Sequence, residues 1–277
     1  MTAPAAAGKV WLVGAGPGDP GLLTVKGLRA LEAADVIVAD RLGARAVLDG
    51  LAEDGIHLRA EVVDVGKLPG HHAVPQDAIN ALLVQLANDG KTVVRLKGGD
   101  PYVFGRGSEE LAFCARAGVA VEVVAGVTSA LSVPAIAGIP VTHRGLATAF
   151  TIVTGHDQIA SLSGGRDHTV VLLMGIGTLA NSALTLARGD RGADCPVAVI
   201  EDGFGARQRV TVGTLGSIAA QAAERGIRSP AVVIVGDVVR LSPYAPASLA
   251  LDALEVSEAH SARLAAELTR PERPTRD

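Results

Sequence analysis

Three aspartates stand where a chain could do chemistry. Asp19 and Asp100 lie in glycine- and proline-rich loops, GAGPGDPG (14–21) and KGGDPYVFGRG (97–107), and Asp40 closes the apolar run VIVAD. Glycine allows tight backbone bends and lets a ligand come close to the main chain. Carboxylates in such loops repel phosphate, so they suit a ligand with polar neutral and cationic groups. A dinucleotide fingerprint needs glycine where Asp19 stands, and a phosphate loop needs Ser or Thr after its lysine, where Lys26 is followed by Gly27. The seven histidines show no metal-ligand spacing. His71, His72 and His143 read as solvated or hydrogen-bonded loop residues. No GxSxG elbow or Cys/His pair is present. The loops otherwise carry scattered cations, Arg41, Lys67, Arg106 and Arg144.

These loops need elements to hold them. Short β-branched runs alternate with helical segments along the chain. KVWLVGAG reads as a strand. Thr24 is a plausible N-cap for the helix that follows, in which Val25, Leu28 and Leu31 recur at helical spacing. VIVAD is the next strand, and AINALLVQLANDG is a helix closed by Gly90. Val93–Leu96 reads as a buried strand, SEELAFCARAG as a helix with an acidic first turn, and VAVEVVAG as a strand. A second set begins at FTIVTGH, with strands TVVLLMG, CPVAVIEDG and AVVIVGDVV and helices IGTLANSALTLARG and TLGSIAAQAAERG. The alternation predicts an α/β fold of two domains with mostly parallel sheets. The polar, Gly/Pro-punctuated GIPVTHRGLATA places the boundary at 142/143, giving domains 9–142 and 143–243. Residues 244–277 read as a tail with a peripheral helix and a disordered end. Parallel strands deliver their loops to one sheet edge. VGAGPGDPG, Asp40, KGGDPYVFGRG, AGVTSA, MGIG and IEDGFG all follow strands and are expected to converge.

Composition narrows the classes. In 277 residues, 48% are hydrophobic and 19% charged, enough for a sizeable core. A net charge of −4 and 3% aromatics give no basic surface or stacking platform for nucleic acid. The uncharged stretch 123–141 is broken by Pro134, Pro140, Gly126 and Gly138, which argues against a membrane span. The N-terminus lacks the pattern of a signal peptide. Cys114 and Cys195 have neither disulfide nor zinc spacing and suit a reducing, cytoplasmic compartment.

In order along the chain, VWLVGAGPGDPGLLTVKGLRALEAADVIVADRL, VGK with GHHAVPQDAIN, RLKGGDPYVFGRGSEE, AGVTSA and AGIPVTHRG with FTIVTGH resemble the tetrapyrrole methylases. RLKGGDPYVFGRG with GIPVTHR is similar to their uroporphyrinogen-III C-methyltransferase branch. The resemblance spans about residues 9–243. It implies two α/β domains of the tetrapyrrole methylase type, unlike the Rossmann-type methyltransferases, with S-adenosylmethionine in the cleft between them. It further implies a homodimer and no metal. The implied reaction methylates uroporphyrinogen III at C2 and C7 to give precorrin-2, for sirohaem, cobalamin or haem d1, and releases S-adenosylhomocysteine. The alternative within the family is a later precorrin methyltransferase.

Residue by residue, the resemblance implies cofactor contacts at Pro17, Gly98, Gly99, Asp100, Val103, Thr128, Ser129, Met174 and Gly203. It makes Asp40 the proton acceptor and Lys67 the donor. The implied substrate bears eight carboxylates, for which Arg41, His71, Arg106 and Arg144, with Lys67, are the candidate partners. The sequence departs from the family pattern at Leu68, where a second cation is common, and at EDGFGARQR around Gly203. No dehydrogenase–ferrochelatase module precedes the matching stretch, which the resemblance reads as a monofunctional enzyme.

Overall fold

A computed structural model describes residues 8–40, 43–66, 74–155 and 159–268. The chain divides into two compact units between Ser132 and Val133, ten residues before the boundary expected from the glycine and proline punctuation. The segment after Val133 packs within the second unit. Ser242 Oγ donates to the Ala137 carbonyl at 2.7 Å, and Gly138 lies against Pro243.

The first unit contains β1 (Lys9–Gly14), α1 (Val25–Glu32), β2 (Val36–Ala39), α2 (Gly43–Glu53), β3 (Glu61–Asp64), α3 (Gln76–Asn88), β4 (Thr92–Lys97), α4 (Gly107–Arg116) and β5 (Ala120–Val124). Helix α5 (Ser129–Ile136) begins in it. The sheet order is β3-β2-β4-β1-β5, and every pairing is parallel. The central strands β1, β2 and β4 are largely buried on both faces, which is why they read as apolar runs, whereas the edge strands β3 and β5 are partly exposed. Val13, Ile37, Ala39, Val94 and Leu96 pack on one face with α1 and α2 residues such as Leu31 and Val47. Val10, Leu12, Val36, Val38 and Val93 pack on the other, with Leu83 of α3 and Cys114 of α4. Neighbouring β1 and β4 send their connections in opposite directions, β1 to β2 and β4 to β5. The edge above them is the switch point at which open α/β sheets bind ligands. Thr24 caps α1 as expected, its Oγ1 accepting from Gly27 N at 3.1 Å.

The second unit contains β6 (Ala149–Thr154), β7 (His168–Leu173), α6 (Leu179–Arg188), β8 (Pro196–Glu201), β9 (Arg209–Thr214), α7 (Ile218–Glu224), β10 (Ala231–Val235) and α8 (Ala253–Leu268). Its order is β6-β7-β10-β8-β9. Only β6–β7 is parallel; β10 runs against both β7 and β8, and β8–β9 is an antiparallel hairpin. Over both sheets five of the eight pairings are parallel, so the expectation of mostly parallel sheets holds for the pair while the second sheet is mixed. The difference arises at EDGFGARQ, which turns the chain straight back into β9 instead of leading into a helix.

Candidate active site

In the first unit, three glycines bring three loops into backbone contact. A Cβ on Gly126, after β5, would lie 2.2 Å from the Gly99 carbonyl oxygen and 2.6 Å from Gly14 Cα. One on Gly14, at the end of β1, would lie 2.6 Å from the same oxygen. Only glycine permits this approach. Gly99 and Gly16 exchange backbone hydrogen bonds, Gly99 N to Gly16 O at 2.8 Å and Gly16 N to Gly99 O at 3.1 Å. Asp100 completes the junction. Its Oδ2 accepts from Gly126 N at 3.0 Å and its Oδ1 from Tyr102 N at 2.8 Å. Asp100 therefore acts first on its own chain, bracing the β4 loop against the β5 loop. Asp19 does the same locally, its Oδ1 accepting from Gly21 N at 2.8 Å at the head of a short 3-10 turn.

Gly98 and Gly99 leave open space beside this junction. Nothing lies closer than 3.9 Å to a Cβ built on either, and the atoms nearest Gly99 are Thr128 Cα and Ser129 N. Pro17, Val103, Thr128 and Ser129 are half-buried at the same edge. Thr128 Oγ1 accepts from Ala130 N at 3.3 Å, capping the first turn of α5. The rest of the β4 loop is strained. Phe104 and Arg106 hold positive φ, 52° and 59°, a region that side-chain-bearing residues seldom occupy and that clusters at functional sites. Tyr102 and Phe104 are exposed. Arg106 is also exposed and donates to Glu109 through Nε at 3.0 Å and Nη2 at 2.6 Å.

Beneath this edge lies a charge network that the sequence reading did not assign to the site. Val93, Arg95 and Lys97 alternate onto the face covered by α3 and α4. Glu110 of α4 is fully buried, and three donors converge on its Oε1: Arg95 Nε at 3.1 Å, Lys97 Nζ at 3.1 Å and Gln76 Nε2 at 3.0 Å. Arg95 also donates from Nη1 to the Val38 and Leu96 carbonyls and from Nη2 to Asp40 Oδ1, the last at 2.5 Å. Only 2% of the Arg95 side chain is exposed, against 39% of Asp40. Burial, with Arg95 nearby, lowers the Lys97 pKa; Glu110 and Asp40 oppose the shift. The spacing of Arg95 and Lys97 in an otherwise apolar strand was the available signal.

The second unit places two expected residues at one edge of its sheet, since β7 and β8 run in the same direction. Met174, after β7, is exposed and holds φ 54°. Beside it, Gly155 and Gly175 pack backbone to backbone, and Thr178 Oγ1 donates to the Gly155 carbonyl at 2.7 Å. Gly203, after β8, sits between Asp202 and Phe204, both with positive φ, 51° and 67°. A Cβ on Gly203 would lie 2.8 Å from Val133 Cγ1. Arg144 is exposed on a loop closed by reciprocal His143–Ala147 backbone hydrogen bonds. Four of the six loops thus share one edge of the first sheet, and MGIG and IEDGFG share one edge of the second. Arg41, Lys67 and His71 lie outside the described residues.

Among the described residues no cluster of His, Cys, Asp and Glu could hold a metal ion, and no helix is long and apolar enough to cross a membrane. Both thiols are buried, and burial pushes Cys114 up to about 11 and Cys195 up to about 12, the opposite of an activated nucleophile.

Comparison with known proteins agrees with this geometry. The family model of Tetrapyrrole (Corrin/Porphyrin) Methylases matches residues 9–219. An S-adenosyl-L-methionine-dependent uroporphyrinogen III methyltransferase of Methanosarcina barkeri is 50% identical over 242 residues, covering 84% of this chain and 93% of that protein. A siroheme synthase of Gluconobacter oxydans is 48% identical over 246 residues, 86% of this chain, which spans 51% of that longer protein. The crystal structure of uroporphyrin-III C-methyl transferase from Thermus thermophilus complexed with S-adenyl homocysteine superposes with a TM-score of 0.69 at 40% identity, covering 89% of this chain and 99% of that one.

Proposed function

The chain belongs to the tetrapyrrole methylase family, and from that premise we propose that it methylates uroporphyrinogen III at C2 and C7 with S-adenosylmethionine, giving precorrin-2 and S-adenosylhomocysteine. The observation that carries this reading is the 50% identity to a uroporphyrinogen III methyltransferase over 84% of this chain and 93% of that protein. The strained β4 loop lies within the matched region.

The residues present fit the cofactor. Gly99 leaves a space beside Thr128 and Ser129, and Gly98 one beside Gly43, that a Cβ would begin to fill, and Asp100 fixes the loop that carries them. Pro17 and Val103 border the same edge. Met174 and Gly203 are the remaining cofactor contacts. When bound, S-adenosylmethionine supplies an electrophilic methyl group and leaves as a neutral thioether, so the reaction requires no Lewis acid. The protein's task is to hold the acceptor carbon about 3–3.5 Å from that methyl in line with the breaking bond.

The electron-rich pyrrole carbon attacks, and the ring becomes cationic until it loses a proton. Asp40 projects from the end of β2 with its carboxylate part-exposed. An anion there stabilises the developing cation or takes its proton. Lys67 is the proton donor. Arg41, His71, Arg106 and Arg144 receive substrate carboxylates. Arg106 and Arg144 are exposed, as such a role requires. We further assign the enzyme to the cytoplasm as a homodimer, on the family resemblance and two buried, unpaired thiols, and to sirohaem, cobalamin or haem d1 synthesis. A substrate panel tests the reading. Purified protein with methyl-labelled S-adenosylmethionine is expected to label uroporphyrinogen III and not later precorrins. Label entering only a later precorrin would move the enzyme along the pathway.

A further inference from the structure

We propose that Arg95 is a positioning residue for Asp40, a buried guanidinium that Glu110 clamps from behind so that it aims the carboxylate at the sheet edge. The inference rests on the reading of Asp40 as the group that meets the ring cation.

Register brings these residues together. Ala39 of β2 pairs with Leu96 of β4, and Val38 with Arg95, so Asp40 leaves β2 beside the Arg95 side chain. Arg95 is on the face packed by α4, where Glu110 falls on the buried side of its helix with Gly107 and Cys114. All three guanidinium nitrogens are engaged. Nε holds Glu110, Nη1 holds the Val38 and Leu96 carbonyls, and Nη2 remains for Asp40. A planar fork anchored at two corners fixes where its third corner points.

Charge explains why Asp40 is needed to complete the set. Glu110 is shared by Arg95 and Lys97, so one buried carboxylate faces two buried cations. Asp40 supplies the second negative charge, and it alone of the four keeps contact with solvent. Stability by itself does not call for this arrangement, because apolar residues of similar volume often replace buried ion pairs without loss. An inaccessible donor oriented toward an accessible carboxylate is what a preorganised site requires.

The test combines Arg95→Lys with Asp40→Ala. Lysine keeps the charge but cannot hold Glu110, the two carbonyls and Asp40 together. Misplacing Asp40 by about 1 Å should lower kcat by about 100-fold, with S-adenosylhomocysteine affinity unchanged by calorimetry. In the Asp40→Ala background, adding Arg95→Lys should change kcat by less than about twofold, because residues acting as one unit are non-additive. If Asp40→Ala alone leaves kcat intact, the reading of Asp40 fails and this inference falls with it. If Asp40→Ala lowers kcat but Arg95→Lys lowers it equally in both backgrounds, or leaves kcat unchanged in the parent, positioning is overturned while the role of Asp40 stands. The triple variant Arg95→Met/Lys97→Met/Glu110→Gln guards against misfolding, since it leaves no buried charge unpaired. It must show the same kcat loss with cofactor affinity kept; parental kcat in the triple variant overturns the inference.

Discussion

Replacing Glu110 with glutamine should be among the most damaging single changes to the first unit. The side chain is fully buried, and its Oε1 accepts from Arg95, Lys97 and Gln76 at 3.0–3.1 Å. The amide keeps the shape and removes the charge. Two buried cations then face each other with only part-exposed Asp40 to offset them. Breaking a buried ion pair by removing one partner typically costs about 3–5 kcal/mol, a large share of the roughly 5–15 kcal/mol that holds a domain together. Lys97 modulates the loss. Its pKa is already lowered by burial from 10.5, and removing Glu110 takes away an interaction that raises it. Between its folded-state value and 10.5, Lys97 is neutral in the fold and protonated when unfolded, so stability rises with pH across that window. The deficit of the variant should therefore shrink as pH increases. Adding Lys97→Met should restore much of the stability, because Arg95 then pairs with Asp40 alone. Urea unfolding followed by circular dichroism reads all three quantities. A Glu110→Gln variant within about 1 kcal/mol of the parent, or a Lys97→Met addition that only worsens it, would refute this account of the network.

Three further changes separate fold from function. Asp100→Ala removes the acceptor for Gly126 N and Tyr102 N; it should cost about 1–3 kcal/mol in unfolding free energy and weaken S-adenosylhomocysteine binding measured by calorimetry. Gly126→Ala puts a Cβ into two backbones and should lower both Tm and cofactor affinity, whereas Gly98→Ala, with nothing closer than 3.9 Å, should keep Tm and weaken cofactor binding alone. Equal Tm values for the two alanine variants would count against the glycine junction. Met174→Gly relieves a left-handed conformation worth about 1–2 kcal/mol, so Tm should hold or rise while turnover falls; a lower Tm with turnover kept would contradict the assignment of Met174.

The sequence made much of the first unit legible because its central strands β1, β2 and β4 are largely buried on both faces and its helices carry their own stop signals. Gly90 and Gly118 close α3 and α4 with positive φ, and Thr24 caps α1. The second sheet was harder to read. RVTVGT is too polar to stand out beside VVLL or VAVI, and pairing direction leaves no mark on composition, so β9 and its antiparallel hairpin emerge only in three dimensions. At the site, GGDP announced a ligand loop, but the partners of Asp100 are backbone groups that spacing does not show. Arg95 escaped because arginine in an apolar strand normally argues for solvent. Its period of two with Lys97, and the fall of Glu110 rather than Glu109 on the Cys114 face of α4, were the signals that mattered. Nothing in MGIG or EDGFG reveals that Met174, Asp202 and Phe204 take positive φ, since glycines stand next to each and are the ordinary bearers of that conformation.

The most direct test of the central claim is the mass of the product. Incubated anaerobically with uroporphyrinogen III and S-adenosylmethionine, the pure protein should yield a tetrapyrrole carrying two added methyl groups, with two equivalents of S-adenosylhomocysteine released. A folded protein that binds S-adenosylhomocysteine yet returns uroporphyrinogen III unmethylated would contradict it.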